Sequence, residues 1–115
     1  MARRLHTNVE IDNFISRVIA EAAHHAGNVQ SVIQPLSDEV RLRINLARDK
    51  VEVYERNGNL ARTCWVTIQG KRYVFSYNYQ SQCIDLRDHS LQGAVRYQFD
   101  NSTLLSDIQR EAASL

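Results

Sequence analysis

Apolar residues near the start of the chain recur with the period of an α-helix. They share one helical face over the first predicted element: Ile11, Phe14, Ile15, Val18, Ile19, Ala22 and Ala26. Just before this face, Thr7 and Glu10 have the spacing of a capping box. Gly27 followed by Asn28 is a typical helix stop. The pattern predicts an amphipathic helix over residues 8–26.

The pattern is less regular over residues 28–39. Val29, Val32 and Ile33 keep a helical interval, but Pro35 interrupts it because proline lacks the backbone N–H that a helix interior needs. We expect a short helical turn or an ordered loop in this segment.

From Val40 onward the apolar period changes to that of a strand. Apolar side chains occupy every second position of this stretch: Val40, Leu42, Ile44 and Leu46. The alternation predicts a strand over residues 40–47. A helix that begins at a Ser37-Asp38-Glu39 cap is the alternative. Further strands are predicted over residues 50–56, 59–69, 72–79, 83–87 and 94–99.

Turn signals between these strands predict how they pair. Asn57-Gly58 is the strongest hairpin signal because both residues tolerate positive φ, and Gly70-Lys71 and Gln80-Ser81 are further expected turns. Since side chains alternate between faces, one register puts nearly all large apolar residues on the same face. The predicted pairs are Leu46 with Val51, Ile44 with Val53, Val51 with Cys64, Cys64 with Tyr77, Val66 with Phe75, Tyr77 with Ile84 and Phe75 with Leu86, and Val95, Tyr97 and Phe99 continue the row. Arg62, opposite Val53, is expected at the sheet margin.

A short final helix is predicted near the end of the chain. A cap at Asn101-Ser102-Thr103 precedes apolar residues at helical spacing, which are Leu104, Leu105, Ile108 and Ala112. The elements together predict one α+β domain over residues 1–115. It consists of an N-terminal helix, a six-stranded antiparallel meander and a C-terminal helix, with the helices packed on one sheet face.

Charge and cysteine content limit the classes of partner and compartment. The chain carries 14 Lys and Arg against 13 Asp and Glu, a formal net charge of +1, which argues against a polyanionic or membrane partner. Two cysteines are too few for a disulfide framework. Neither a leader segment nor an apolar stretch long enough for a bilayer is evident in the sequence, so we expect a cytoplasmic protein.

The sequence contains no motif that supplies catalysis or holds a metal or a cofactor. We therefore expect no catalytic residue, no metal site and no cofactor, and an enzyme is the less favoured class. Asp85, Asp88 and His89 are the alternative, because carboxylates and an imidazole near one strand end could act in acid–base chemistry or hold a metal weakly. Turn chemistry accounts for Asp88 and His89 equally well.

The second face of the predicted sheet, opposite the face with the large apolar residues, carries aromatic side chains among cationic ones. Tyr54 and Trp65 lie there with Arg41, Arg43 and Arg96, and the predicted register puts Arg43 opposite Tyr54. Because these residue types anchor protein interfaces, the leading hypothesis is a non-enzymatic interaction protein that forms a homodimer through the sheet. The same five residues could instead bind nucleic acid or a small effector, although the low net charge disfavours nucleic acid.

One part of the sequence resembles a known group of proteins. The segments that carry the resemblance are Arg72-Tyr73-Val74-Phe75-Ser76-Tyr77-Asn78, Leu91-Gln92-Gly93 and Phe99-Asp100-Asn101-Ser102-Thr103. Over roughly the last 45 residues the chain is similar to small hypothetical proteins encoded by bacterial integron gene cassettes. The resemblance implies an accessory protein of a mobile gene and indicates little about its chemistry.

Overall fold

The computed structural model of the chain describes residues 2–56 and 59–115, so the predicted turn at Asn57-Gly58 and the side chain of Arg62 lie outside the described residues. The described elements follow in the order β1 (Ala2–Leu5), α1 (Asn8–His25), α2 (Ile33–Arg41), β2 (Lys50–Arg56), β3 (Asn59–Ile68), β4 (Lys71–Asn78), β5 (Cys83–Asp88), β6 (Val95–Phe99) and α3 (Leu105–Ala113). The strands form one six-stranded antiparallel sheet in chain order. The predicted α+β class is confirmed.

Helix α1 begins at the predicted capping box. The hydroxyl of Thr7 accepts a hydrogen bond from the backbone N–H of Glu10 at 3.1 Å. The carboxylate of Glu10 in turn accepts one from the backbone N–H of His6 at 3.1 Å. The first bond satisfies a donor that the first helical turn leaves unpaired, and the second pairs the backbone N–H of the residue before the N-cap. The predicted helix is confirmed, and it ends at His25, one residue before the predicted end.

The strand predicted over residues 40–47 is wrong, because α2 continues through Arg41. Pro35 lies in the first turn of α2, where the N–H that proline lacks has no intrahelical acceptor. Leu36 and Val40 are four residues apart and both buried, whereas Leu42, which follows α2, is 74% exposed. A spacing of four satisfies a helix as well as a strand, so the alternation alone did not distinguish them.

The short strand β1 takes the sheet position predicted for residues 40–47. Leu5 pairs with Val51 and Arg3 pairs with Val53, in place of the predicted pairs that involved Leu46 and Ile44. Four residues are too few to show a clear alternation in the sequence. The predicted number of strands is thus confirmed, while the identity of one edge strand is corrected.

The register between neighbouring strands is confirmed in one hairpin and corrected in two. Tyr77 pairs with Ile84 and Phe75 with Leu86, as predicted. Between β3 and β4 the pairs are Cys64 with Phe75 and Val66 with Tyr73, because the turn lies at Gln69-Gly70, where φ is 51° and 83°. Val53 rather than Val51 pairs with Cys64, since the register shifts between Val53 and Glu55. Both corrections are shifts by two residues, which keep every side chain on its predicted face.

A buried carboxylate ties the segment after α2 to the β3–β4 turn. The side chain of Asp49 is 1% exposed and accepts hydrogen bonds from the backbone N–H groups of Asn45 (2.9 Å) and Gln69 (3.0 Å). The guanidinium of Arg48 pairs with the same carboxylate at 3.1 Å. The hydrogen bond from Arg48 is the largest cause that lowers the pKa of Asp49, which falls to about 2 despite the opposing effect of burial.

All three described helices pack against one face of the sheet, as predicted. The larger buried cluster joins the helices to strands β3–β6 and consists of Ala22, Val29, Val32, Ile33, Leu36, Val40, Val66, Ile68, Tyr73, Leu86, Phe99, Ile108 and Ala112. The smaller one joins the start of α1 to β1 and β2 through Leu5, Ile11, Phe14, Val51 and Val53. Helix α3 therefore covers the β6 side of the sheet, and α1 reaches across to the β1 side.

The start of α3 differs from the prediction. Leu104 occupies the N-cap position without a side-chain hydrogen bond, so the cap predicted at Asn101-Ser102-Thr103 is wrong. Those residues instead form a turn in which the Asp100 carboxylate accepts from the backbone N–H of Ser102 at 2.9 Å. Ile108 and Ala112 are buried as predicted, while Leu104 and Leu105 are exposed.

Candidate binding site

An apolar cavity of about 220 Å³ lies between α1, α2 and the helix-facing side of the sheet. Its lining is mostly aliphatic and aromatic, and consists of Ile11, Phe14, Ile15, Val18, Glu21, Ala22, Ala26, Val29, Ile33, Leu36, Ser37, Val40, Arg41, Ile44, Val51, Thr63, Cys64, Val66, Phe75, Ser76, Tyr77, Tyr79 and Ile84. A dry apolar cavity of about 150 Å³ is large enough to bind benzene. The cavity therefore has room for a small ring system.

The cavity explains why several core-facing side chains are only half buried. They are Ile15, Val18, Ala26, Ile44, Cys64, Phe75, Tyr77 and Ile84, and each both packs against the larger cluster and lines the cavity. Helix α1 thus covers the sheet without filling the space beneath it. The sequence pattern could not reveal this, because periodicity gives the face on which a side chain lies and not the volume left between faces.

A core with a cavity of this size is less stable than a filled core. At about 24 cal/mol per Å³, a volume of about 220 Å³ corresponds to about 5 kcal/mol relative to a filled core. The value is an upper limit because the cavity reaches the surface, where its two exposed lining residues, Glu21 and Tyr79, form its mouth. Since small domains have only about 5–15 kcal/mol of stability, retention of this space points to a use for it.

Cys64 lines the cavity as a neutral, weakly reactive thiol. Burial raises the pKa of Cys64 to about 12, so the thiolate that reacts with electrophiles is scarce at neutral pH. Cys83 lies on the opposite sheet face, where burial and the nearby Asp100 carboxylate raise its pKa as well. Both cysteines are free. Neither thiol is activated as a nucleophile, and Cys64 acts as a small apolar side chain.

Two charged side chains are among the described residues that line the cavity. The guanidinium of Arg41 pairs with the Asp12 carboxylate and donates to the Asn8 side-chain oxygen at 3.2 Å, so its charge is balanced. Glu21 is exposed and has no hydrogen-bond or ion-pair partner among the described residues. The rings of Tyr77 and Tyr79, which both line the cavity, contact each other edge to face with their centroids 4.9 Å apart.

The structure divides the five binding residues proposed from the sequence. Arg41 ends α2 and Arg43 follows it, so both lie at the helix layer and not on a strand. Tyr54 and Trp65 do lie on the second sheet face, where Tyr54 is 37% exposed. Trp65 pairs with Glu52, and the guanidinium carbon of Arg72 lies 5.6 Å from the centroid of its ring. Arg43 follows α2 and therefore does not take its predicted place opposite Tyr54.

Arg96 lies on the helix side of the sheet. The register shifts by one residue between Leu86 and Arg87, so that Val95 pairs with Arg87 and is 43% exposed instead of continuing the buried row. The guanidinium carbon of Arg96 lies 5.5 Å from the centroid of the Tyr73 ring. Its Nη1 forms an ion pair with the carboxylate oxygen Oδ1 of Asp88 at 3.0 Å. Of the five predicted residues, the structure therefore brings together only Tyr54 and Trp65.

The candidate acid–base residues Asp85, Asp88 and His89 are likewise separated. Asp85 is buried on the second face and accepts hydrogen bonds from Gln98 (2.8 Å), Asn78 (3.1 Å) and Arg87 (3.2 Å). Asp88 points to the helix side, where it pairs with Arg96. His89 is exposed and turns the chain with a φ of 66°. Within residues 2–56 and 59–115, no group of three or more His, Cys, Asp and Glu side chains could hold a metal ion.

Two comparisons bear on the identity of the chain. No curated protein matches it. The family model described as "Integron cassette protein VCH_CASS1 chain" matches residues 11–109, which include most of α1, all of α2, the strands from β2 to β6 and the first half of α3. In addition, no helix in the described part of the chain has the length and apolar character to cross a membrane. The match confirms the resemblance seen in the sequence, and the chain belongs to this integron cassette protein family.

Proposed function

We propose that this accessory protein of a mobile gene is a non-enzymatic binding protein whose cavity between α1, α2 and the sheet takes a small apolar ligand. The observation that carries the proposal is the apolar space of about 220 Å³ within the hydrophobic core. Ligand sites are typically concave and apolar with a few polar groups that orient the ligand. Ser37 on α2, a hydroxyl-bearing residue of the lining, supplies such a group here. A cytoplasmic location stays a prediction.

The two cysteines provide a matched test of the cavity. Indole is titrated into ¹⁵N-labelled protein, and saturable amide shifts are expected at residues that line the cavity, such as Val18 and Val66. Cys64→Phe should abolish these shifts because the new ring occupies the cavity. Cys83→Phe introduces the same ring on the opposite sheet face and should leave them intact.

Two outcomes would contradict this proposal. One is the absence of cavity-localised shifts in the unmodified protein at millimolar indole. The other is unchanged binding in Cys64→Phe. If Cys64→Phe fails to fold, the smaller Cys64→Ile serves instead and should weaken binding by occupying part of the same space.

Self-association through the sheet is the second candidate function. It is supported by Tyr54, which is 37% exposed next to Trp65 on the face opposite the helices. Light scattering on a sizing column should then give twice the chain mass for the unmodified protein and the monomer mass for Trp65→Arg. Leu91→Arg changes another exposed apolar residue, in the β5–β6 loop, and is the control. A monomer at all concentrations would exclude this candidate.

Nucleic-acid binding and catalysis have less support in the structure. Nucleic-acid or small-effector binding required five side chains on one surface, which are Arg41, Arg43, Tyr54, Trp65 and Arg96. The separation of the three arginines from the aromatic pair removes that argument. An enzyme that uses Asp85, Asp88 and His89 required them at one site, and Asp85 and Asp88 lie on opposite faces of the sheet.

A further inference from the structure

We propose that the ligand of the cavity is an amphipathic cation, with an apolar or aromatic body and a protonated amine. This inference rests on the proposed function and concerns the ligand class. It combines two features of the same lining, the exposed Glu21 carboxylate, which forms no ion pair with a described residue, and the pair of rings of Tyr77 and Tyr79. The body of the ligand would fill the apolar space, and the ammonium group would remain near solvent at Glu21.

The charge distribution around the cavity favours a cation. Arg41 is the positively charged side chain among the described lining residues, and Asp12 already balances it. Glu21 is the negatively charged one, is exposed, and pairs with none of the described side chains. Among the charged residues of the lining, Glu21 is therefore the one that an occupant can pair with. A bound carboxylate would be repelled there, whereas an ammonium group would gain a charge-assisted contact.

The aromatic side chains favour the same class of ligand. Tyr77 lines the cavity, Tyr79 lines its mouth, and their rings meet at 4.9 Å with an interplanar angle of 82°. Aromatic faces attract ammonium groups through the ring quadrupole, and tyrosine is among the better partners. Glu21 and Tyr79 are the two exposed members of the lining, so carboxylate and aromatic ring both border the entrance.

Three probes of similar size and different charge test this inference. They are phenethylamine, 2-phenylethanol and 3-phenylpropionate, titrated separately at neutral pH and followed by NMR. We expect the amine to bind about fivefold more tightly than the alcohol, because the ammonium contact forms at a partly exposed site. The carboxylate should bind more weakly than the alcohol. Added salt should reduce the preference for the amine, since it screens an exposed charge pair.

A substitution at Glu21 separates this inference from the proposed function. Glu21→Gln should bring the ratio of amine to alcohol affinity close to one. Glu39→Gln is the matched control, because Glu39 lies on α2 and is not part of the lining. Failure of all three probes to bind would refute the proposed function itself. Binding of the alcohol with no preference for the amine, or a preference that survives Glu21→Gln, would overturn only the ligand class.

Discussion

Cys64→Ile should stabilise the protein, although most substitutions in a core destabilise it. Cys64 faces the cavity, and isoleucine adds two heavy atoms to its side chain. At about 0.8 kcal/mol per buried methylene, the gain is about 1.6 kcal/mol. The rotamer entropy of isoleucine removes about 0.5–1 kcal/mol of it. The free energy of unfolding should therefore rise by about 1 kcal/mol, and isoleucine also suits a strand.

The control for this prediction is Val53→Ile, a substitution on the neighbouring strand β2. Val53 pairs directly with Cys64, is fully buried and does not line the cavity. Val53→Ile adds only one methylene, yet it should destabilise the protein by about 1–3 kcal/mol because no space receives the extra atom. Urea unfolding followed by circular dichroism measures both changes. A loss of stability in Cys64→Ile similar to that in Val53→Ile would show that the space beneath α1 is filled and would refute the reasoning.

Three further predictions concern polar contacts. Because the folded protein lowers the pKa of Asp49 to about 2 from 3.8, its contribution to stability is present above pH 3.8 and is lost as the pH falls towards 2. Asp49→Asn should cost about 2 kcal/mol at pH 7, and urea unfolding should show this difference shrinking as the pH approaches 2. Thr7→Ala should cost about 1 kcal/mol in the same assay because the N-cap bond is lost, while Thr7→Ser retains it. Asp85→Ala should cost about 3–5 kcal/mol because the Arg87 guanidinium loses its carboxylate, and an unchanged midpoint would contradict the importance of this ion pair.

The elements predicted correctly are those whose local signals agree. Helix α1 has a capping box, a long apolar face and a stop signal, and all three indicate the same boundaries. The β4–β5 hairpin was also predicted correctly, with Phe75 opposite Leu86. The strand predicted over residues 40–47 is wrong because Val40 and Ile44 fit both periods. The helical turn expected within residues 28–39 is a longer helix than predicted, because Pro35 lies in the first turn of α2, which accommodates proline.

The candidate site was less predictable than the fold. The residues that line the cavity were identified as apolar members of a helix or of one sheet face, but nothing in their spacing indicates that α1 and the sheet leave space between them. The cation-rich surface was predicted from a strand that does not form, so Arg41 and Arg43 were assigned to the wrong layer. Arg96 was misplaced because a one-residue register shift in β6 turns its side chain to the other face.

The sequence by itself determined the α+β class, the position of α1, most of the strands and, outside β6, the face on which each predicted strand that forms buries its apolar residues. These properties depend on local periodicity, which repeats every 3.6 residues in a helix and every two in a strand. Only the tertiary structure decided the registers of the β2–β3, β3–β4 and β5–β6 pairs, the edge strand β1 and the cavity under α1. Each of these depends on how separate elements meet in space. A register shift of two residues, or a gap between two apolar faces, leaves the alternation of apolar and polar residues in the sequence unchanged.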